Sequence, residues 1–191
     1  MKRVWMIFIC VSLLLSLSGC SQQQEMEMPE IVFEYYYYMD YFGTRDIPPY
    51  DTWWIEQDGT ICHSRDEAYQ QYTVSTLMEQ YESIKAELDY EVVGTVDVDV
   101  LQEKWQILQE IVNGENNEVL IEEDMLDVVK PREKWYGYYY NSDGELEVVI
   151  LRGEGNISYI HQDPRARELA DWLDEVFQAE ERRRSMEGEG K

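Results

Sequence analysis

Runs of aromatic residues constrain this chain more than any other feature. It carries 15 tyrosines and 6 tryptophans, gathered in Tyr35 to Tyr38, Trp53-Trp54 and Tyr138 to Tyr140. Aromatic side chains suit a pleated surface, so each run reads as a strand. Successive side chains on a strand point to opposite faces, so an unbroken run places aromatics on both sides of its sheet. One side fills a core. The other is either covered by helices or left open, and an open aromatic face could stack on sugars or grip a partner. Tyr36, Tyr38, Trp53, Trp54 and Tyr139 are the candidate residues of such a face.

The remaining pattern places these runs in an α+β chain. Ile31 to Tyr41 reads as a first strand, with Ile31, Phe33, Tyr35, Tyr37, Met39 and Tyr41 on one face and Glu34 and Asp40 on the other. Gly43 to Pro49 is a loop. Asp58-Gly59 between Trp53–Gln57 and Thr60–Ser64 is a hairpin signal, because glycine tolerates positive φ. Thr76 to Leu88 has apolar residues at helical spacing (Leu77, Tyr81, Ile84, Leu88). So does Asp99 to Val112, where Asp99 can cap, Leu101, Trp105, Leu108 and Val112 form a stripe, and Gly114 stops the helix. Glu118 to Pro131 has no clear period. Trp135–Tyr140, Glu145–Leu151 and Asn156–Ile160 read as a three-stranded meander with turns at Asn141-Ser142-Asp143-Gly144 and Gly153-Glu154-Gly155. Asp163-Pro164 opens a last helix, whose buried face is Leu169, Trp172, Leu173, Val176 and Phe177. From Glu180 the chain turns to charge and glycine and is expected to fray. The expected architecture is an antiparallel sheet with about three helices packed on one face.

The N-terminus carries a different signal. Lys2 and Arg3 precede an apolar run from Val4 to Leu17, broken only by Ser12 and Ser16, and small residues lead to Cys20. This is the charge–apolar–small order of a secretory signal, and the run is short for a membrane span. Leu17-Ser18-Gly19-Cys20 resembles the lipobox of bacterial lipoproteins. The resemblance implies diacylglycerol transfer to the Cys20 thiol and cleavage before it, with Leu17, Ser18 and Gly19 read by the lipoprotein signal peptidase. Two or more acyl chains, at ~0.8 kcal/mol per buried CH₂, anchor stably where one binds marginally. The organisation expected is therefore a signal peptide at 1–19, a lipidated cysteine and flexible tether at 20–30, one domain at 31–179, and a charged tail at 180–191. The address is the extracytoplasmic face of the cell membrane, or an outer membrane if the cell is diderm, since Ser21 does not look like an inner-membrane retention signal. The mature layout also resembles small uncharacterised lipoproteins of Gram-positive bacteria. That similarity rests on the first strand, on Trp135-Tyr136-Gly137-Tyr138-Tyr139-Tyr140 with its Asp143-Gly144 turn, and on the Trp172-Leu173 helix. It carries no site residues over.

Charge narrows the partners. With 16 Lys and Arg against 40 Asp and Glu the net charge is −24, and loss of Lys2 and Arg3 takes it to −26. Such a body repels nucleic acid and gives no broad electrostatic hold on anionic lipid, so the covalent lipid makes the membrane contact. A polysaccharide or an envelope protein remains as the partner class. Of 3 cysteines, Cys10 leaves with the signal and Cys20 is lipidated. Cys62 alone remains, read as a small buried hydrophobe beside a surface His63.

Little points to catalysis. His63 and His161 are the only histidines, and Cys62 and His63 point to opposite faces of their strand. Zinc would need more His and Cys. Asp97 with Asp99, and Glu122-Glu123-Asp124, match no calcium-loop spacing. No cofactor or metal is expected. The sequence reads as a non-enzymatic binding or envelope-associated module. The alternative is a cell-wall or polysaccharide hydrolase using paired carboxylates, which an acidic chain of any fold brings together in some number.

Overall fold

The computed structural model describes residues 27–38, 50–65, 81–123 and 132–188. They form one antiparallel sheet of eight strands with three helices. β1 (Ile31–Tyr38) is followed by β2 (Tyr50–Glu56), β3 (Thr60–Ser64), α1 (Tyr81–Glu87), β4 (Tyr90–Thr95), α2 (Val98–Val112), β5 (Val119–Glu123), β6 (Arg132–Tyr140), β7 (Leu146–Glu154), β8 (Ile157–His161) and α3 (Pro164–Gly188). The order across the sheet is β4-β3-β2-β1-β6-β7-β8-β5. The α+β class, the Asp58-Gly59 hairpin and the C-terminal meander are as the sequence predicts. Gly59 adopts φ 85° in that hairpin. The pairing of β1 with β6 joins the N-terminal strands to the meander.

Helices α2 and α3 cover one face. Leu101, Trp105, Leu108 and Ile111 of α2, with Ala166, Leu169, Leu173 and Phe177 of α3, enclose Phe33, Ile55, Ile61, Trp135, Val149 and Leu151. Each fully buried Leu or Ile adds about 1.5–3 kcal/mol. On the other face a smaller cluster joins Tyr81 of α1 to Ile31, Trp54, Cys62, Leu88 and Tyr138. The aromatic runs thus fill two cores, one on each side of the sheet.

Several local expectations shift. A register break between Ile31 and Phe33 puts these two in different clusters, although a strict period-two strand would keep them together. Glu34, expected outside, is buried and receives the Tyr138 hydroxyl. The cap of α2 is Asp97 and not Asp99: its side chain accepts from the N–H groups of Asp99 and Val100, at 2.9 and 3.3 Å. Asp99 sits instead in the first turn, where its charge faces the positive helix end. Asn113 closes the helix, its side-chain amide donating to the Gln109 carbonyl at 2.8 Å. β4 carried no signal, and part of the unassigned Glu118–Pro131 stretch is the edge strand β5. β7 runs on through Gly153 to Glu154, so the turn into β8 falls at Gly155, φ 142°. α3 continues past Glu180 to Gly188, because Arg183 donates to the Val93 carbonyl and Arg184 pairs with Glu91, tying the helix end to β4. Met39 to Pro49 and Asp66 to Gln80 lie outside the described residues.

At the β1–β6 seam Gly137 lies under α2. A Cβ there would come within 2.7 Å of both Leu108 methyls, and Leu108 is fully buried. Gly137→Ala should therefore destabilise the fold by about 1–3 kcal/mol through overpacking, read as a lower urea midpoint. An unchanged midpoint would place α2 further from the sheet.

Candidate functional site

The five residues of the expected aromatic face do not share a surface. Trp53 and Trp54 point to opposite sides, as neighbours on a strand must, and both are buried. Trp54 belongs to the smaller cluster, on the side that the β1 register gives to Tyr36 and Tyr38. Trp53 lies in the larger cluster, against which Tyr139 packs. Tyr139 donates to Glu147 at 2.6 Å. Leu17, Ser18, Gly19 and Cys20 lie outside the described residues.

Cys62 is buried, as expected, and burial followed by the Glu56 charge pushes its thiol up to about 12. It faces away from His63, so the two form no catalytic pair. His63 is not on the surface: it is 3% exposed, its ring 4.3 Å from that of Trp53, and its two nitrogens meet Asp51 and Glu91. The end of α3 brings Arg184 to the same histidine at 3.3 Å, a contact between residues 121 positions apart that no local pattern signals.

Behind Trp54, one carboxylate oxygen gathers four donors. Glu56 Oε1 accepts from Tyr81 and Lys85 at 2.6 Å each, and from Trp54 and Cys62 at 3.3 Å each. This network pins α1 to the sheet.

Across the other face, strand register builds a site that no single stretch of sequence contains. His63, Trp53, Tyr35, Trp135 and Arg152 are successive cross-strand partners from β3 to β7. Two residues further along the same strands, Asp51, Tyr37, Glu133 and Glu154 form a second row. The first row has tilted ring contacts between Trp53 and His63 and between Tyr35 and Trp135, and a cation caps its end. Centroids lie 5.1 Å apart for Tyr35 and Trp135, and the Arg152 guanidinium lies 3.8 Å from the Trp135 centroid. Phe177 of α3 closes over it, 5.6 Å from Trp53 and 6.3 Å from Tyr35. The second row is carboxylate-rich.

Between these rows and α3 lies a cavity of about 410 Å³. Trp53, Tyr35 and Trp135 belong to its lining, with Asp51, Glu133 and Glu154 from the strands and Asp174 and Glu181 from the helix. Arg152 is its one cationic lining residue, and that charge is already engaged by Asp171 and Asp174, with its Nε 3.3 Å from Glu154. Asp174 also receives the Trp135 indole N–H at 2.7 Å. Burial, then the charges of Glu154 and Asp174, raise Glu133 above the ordinary carboxylate value, against the pull of Arg152 and a hydrogen bond from Tyr35. Burial, and next the Glu133 charge, raise the Tyr35 phenol as well. A smaller recess of about 170 Å³ shares Arg152 and Glu154. Among the described residues no three His, Cys, Asp or Glu side chains come together to hold a metal ion.

No protein-family model, curated protein or solved structure matches the chain. Among the described residues no helix is long and apolar enough to cross a membrane.

The Glu56 network has a pH consequence. Burial alone would raise this carboxyl, but hydrogen bonds from Lys85, Tyr81 and Cys62, with the Lys85 charge, hold it below the ordinary value. A depressed carboxyl contributes stability that is fully present above the usual carboxylate range and is lost as the pH falls through its folded value. Glu56→Gln should cost about 1–3 kcal/mol near neutral pH and flatten the acid limb of stability against pH. A variant with the parent's midpoint and acid slope would contradict this role.

Proposed function

We propose that this chain is a lipid-anchored extracytoplasmic lipoprotein whose folded domain is a non-enzymatic binding module. The observation that carries the binding role is the cavity beneath α3. It has the size of a small-ligand pocket, and it combines an aromatic floor with carboxylates set by strand register. Like charges directly opposite on neighbouring strands destabilise a sheet. The Glu133–Glu154 pair therefore costs the fold stability and is accounted for by a ligand more readily than by folding.

Attachment is supported by Lys2 and Arg3, the apolar run and Leu17-Ser18-Gly19-Cys20. The acidic body and the covalent lipid divide the work: the diacylglycerol on Cys20 holds the membrane, and the domain, repelled by anionic lipid, faces outward. An envelope polysaccharide or protein remains the wider partner class.

One observation favours a second reading, a polysaccharide hydrolase. Glu133 has a raised pKa beside Glu154 and Asp174, which is how a general acid is kept protonated next to an ionised partner.

Membrane fractionation of cells making the parent and Cys20→Ser, with purified parent assayed on peptidoglycan, tests the proposal. The parent should sediment with membranes as a processed form and release no reducing ends. Cys20→Ser should be released or stay as precursor. A processed Cys20→Ser form on membranes would contradict the anchor, and release of reducing ends that Glu133→Gln abolishes would replace binding by hydrolysis.

A further inference from the structure

We propose that the cavity beneath α3 takes an elongated organic cation bearing primary ammonium groups, of the polyamine class. This rests on reading the cavity as a binding site. Asp174 and Glu154 are engaged by Arg152, and Asp51 by His63 with Arg65 at 3.8 Å. Glu133 feels the Arg152 charge but makes no ion pair among the described residues, and its one donor is the neutral Tyr35 hydroxyl. Arg152 is already engaged by Asp171 and Asp174, so the row is short of positive charge at its centre, and a ligand that brings it relieves the repulsion between Glu133 and Glu154.

Asp51, Glu133 and Glu154 sit on β2, β6 and β7, with β1 between the first two. At the usual strand separation they spread over roughly 14 Å. One metal ion cannot bridge such a row, in keeping with the lack of any three-ligand cluster among the described residues. A chain with ammonium groups several bonds apart can meet the carboxylates in turn.

Tyr35, Trp53 and Trp135 run parallel to the carboxylate row, one residue pair away. Methylene segments of a polyamine would lie along the parts of these rings that line the cavity while the ammonium groups reach the carboxylates. A rigid sugar would also find rings here, but it would leave the repelling carboxylates unneutralised.

The test is calorimetric titration of the full chain in non-ionic detergent, at about 150 mM salt so that diffuse attraction is screened. The probes are spermidine and octane-1,8-diol, a neutral chain of matched length. Fluorescence of the cavity tryptophans provides a second signal. Spermidine should bind at one site with a tryptophan response, and the diol should not. Glu133→Gln removes a half-buried charge and so should fold, yet weaken spermidine about tenfold, as loss of a charge-assisted hydrogen bond does. Glu103→Gln, with the same charge loss on the exposed side of α2, should leave affinity unchanged. Equal weakening by both variants would reduce the effect to attraction by net charge and overturn the proposal, as would equal binding of the diol. If spermidine fails while an N-acetylglucosamine oligosaccharide shifts the cavity tryptophans, the cation inference falls and the binding reading stands. If neither ligand acts, both fall.

Discussion

The contact between Arg152 and Trp135 holds the two layers of this protein together. The guanidinium lies on the indole face while its nitrogens engage Asp171 and Asp174 of α3. Asp174 in turn takes the Trp135 N–H, so one helical carboxylate joins both partners. A planar, permanently charged group can stack and form ion pairs at once, which lysine cannot do. Isolated surface ion pairs contribute little, but this guanidinium is stacked, largely shielded and shared between the exposed Asp171 and the half-buried Asp174. It fixes α3 over β6 and β7. The far end of the same helix reaches β4 through Arg183 and Arg184. The helix therefore spans the sheet, and the cavity exists because it does so above a row of carboxylates.

The aromatic residues serve this arrangement in more than one way. Their rings fill a core on each side of the sheet, and the one cysteine among the described residues is buried in the smaller core as a free thiol. Their polar tips are used as well. Trp54 donates to Tyr81 at 2.9 Å, Trp105 to the Tyr138 carbonyl at 3.2 Å, and Tyr138 to buried Glu34. Rings that pack and donate together let polar groups be buried without being orphaned.

What could be read from the sequence was local. The Asp58-Gly59 hairpin, the stripe of α2, the Asp163-Pro164 start of α3 and the meander each depend on residues a few positions apart, and each was legible. β4 was not, because Glu91 and Gly94 blur its period and exposed Val92 breaks the alternation. The burial of His63 was hidden for a different reason: its cover, Arg184, comes from the other end of the chain. The cavity was least legible of all. Asp51 with Trp53, Tyr35 with Tyr37, Glu133 with Trp135, and Arg152 with Glu154 are each an unremarkable pair spaced by two. Only strand register turns them into an aromatic row beside an acidic one. The lone usable hint was that the same spacing recurs on four strands. The aromatic face expected from Tyr36, Tyr38, Trp53, Trp54 and Tyr139 failed because it joined residues that alternation must separate.

The acidic row beneath α3 is short of positive charge. Glu133 reports on it, since beyond burial its carboxyl feels Glu154 and Asp174 against the opposing Arg152 charge. A carbon-13 shift titration of the Glu133 carboxyl in the ligand-free protein is the most direct test. A midpoint above that of an ordinary glutamate is the predicted result. A midpoint at or below the ordinary value would mean that the row is already neutralised from within the protein, and the case for a cationic ligand would fail.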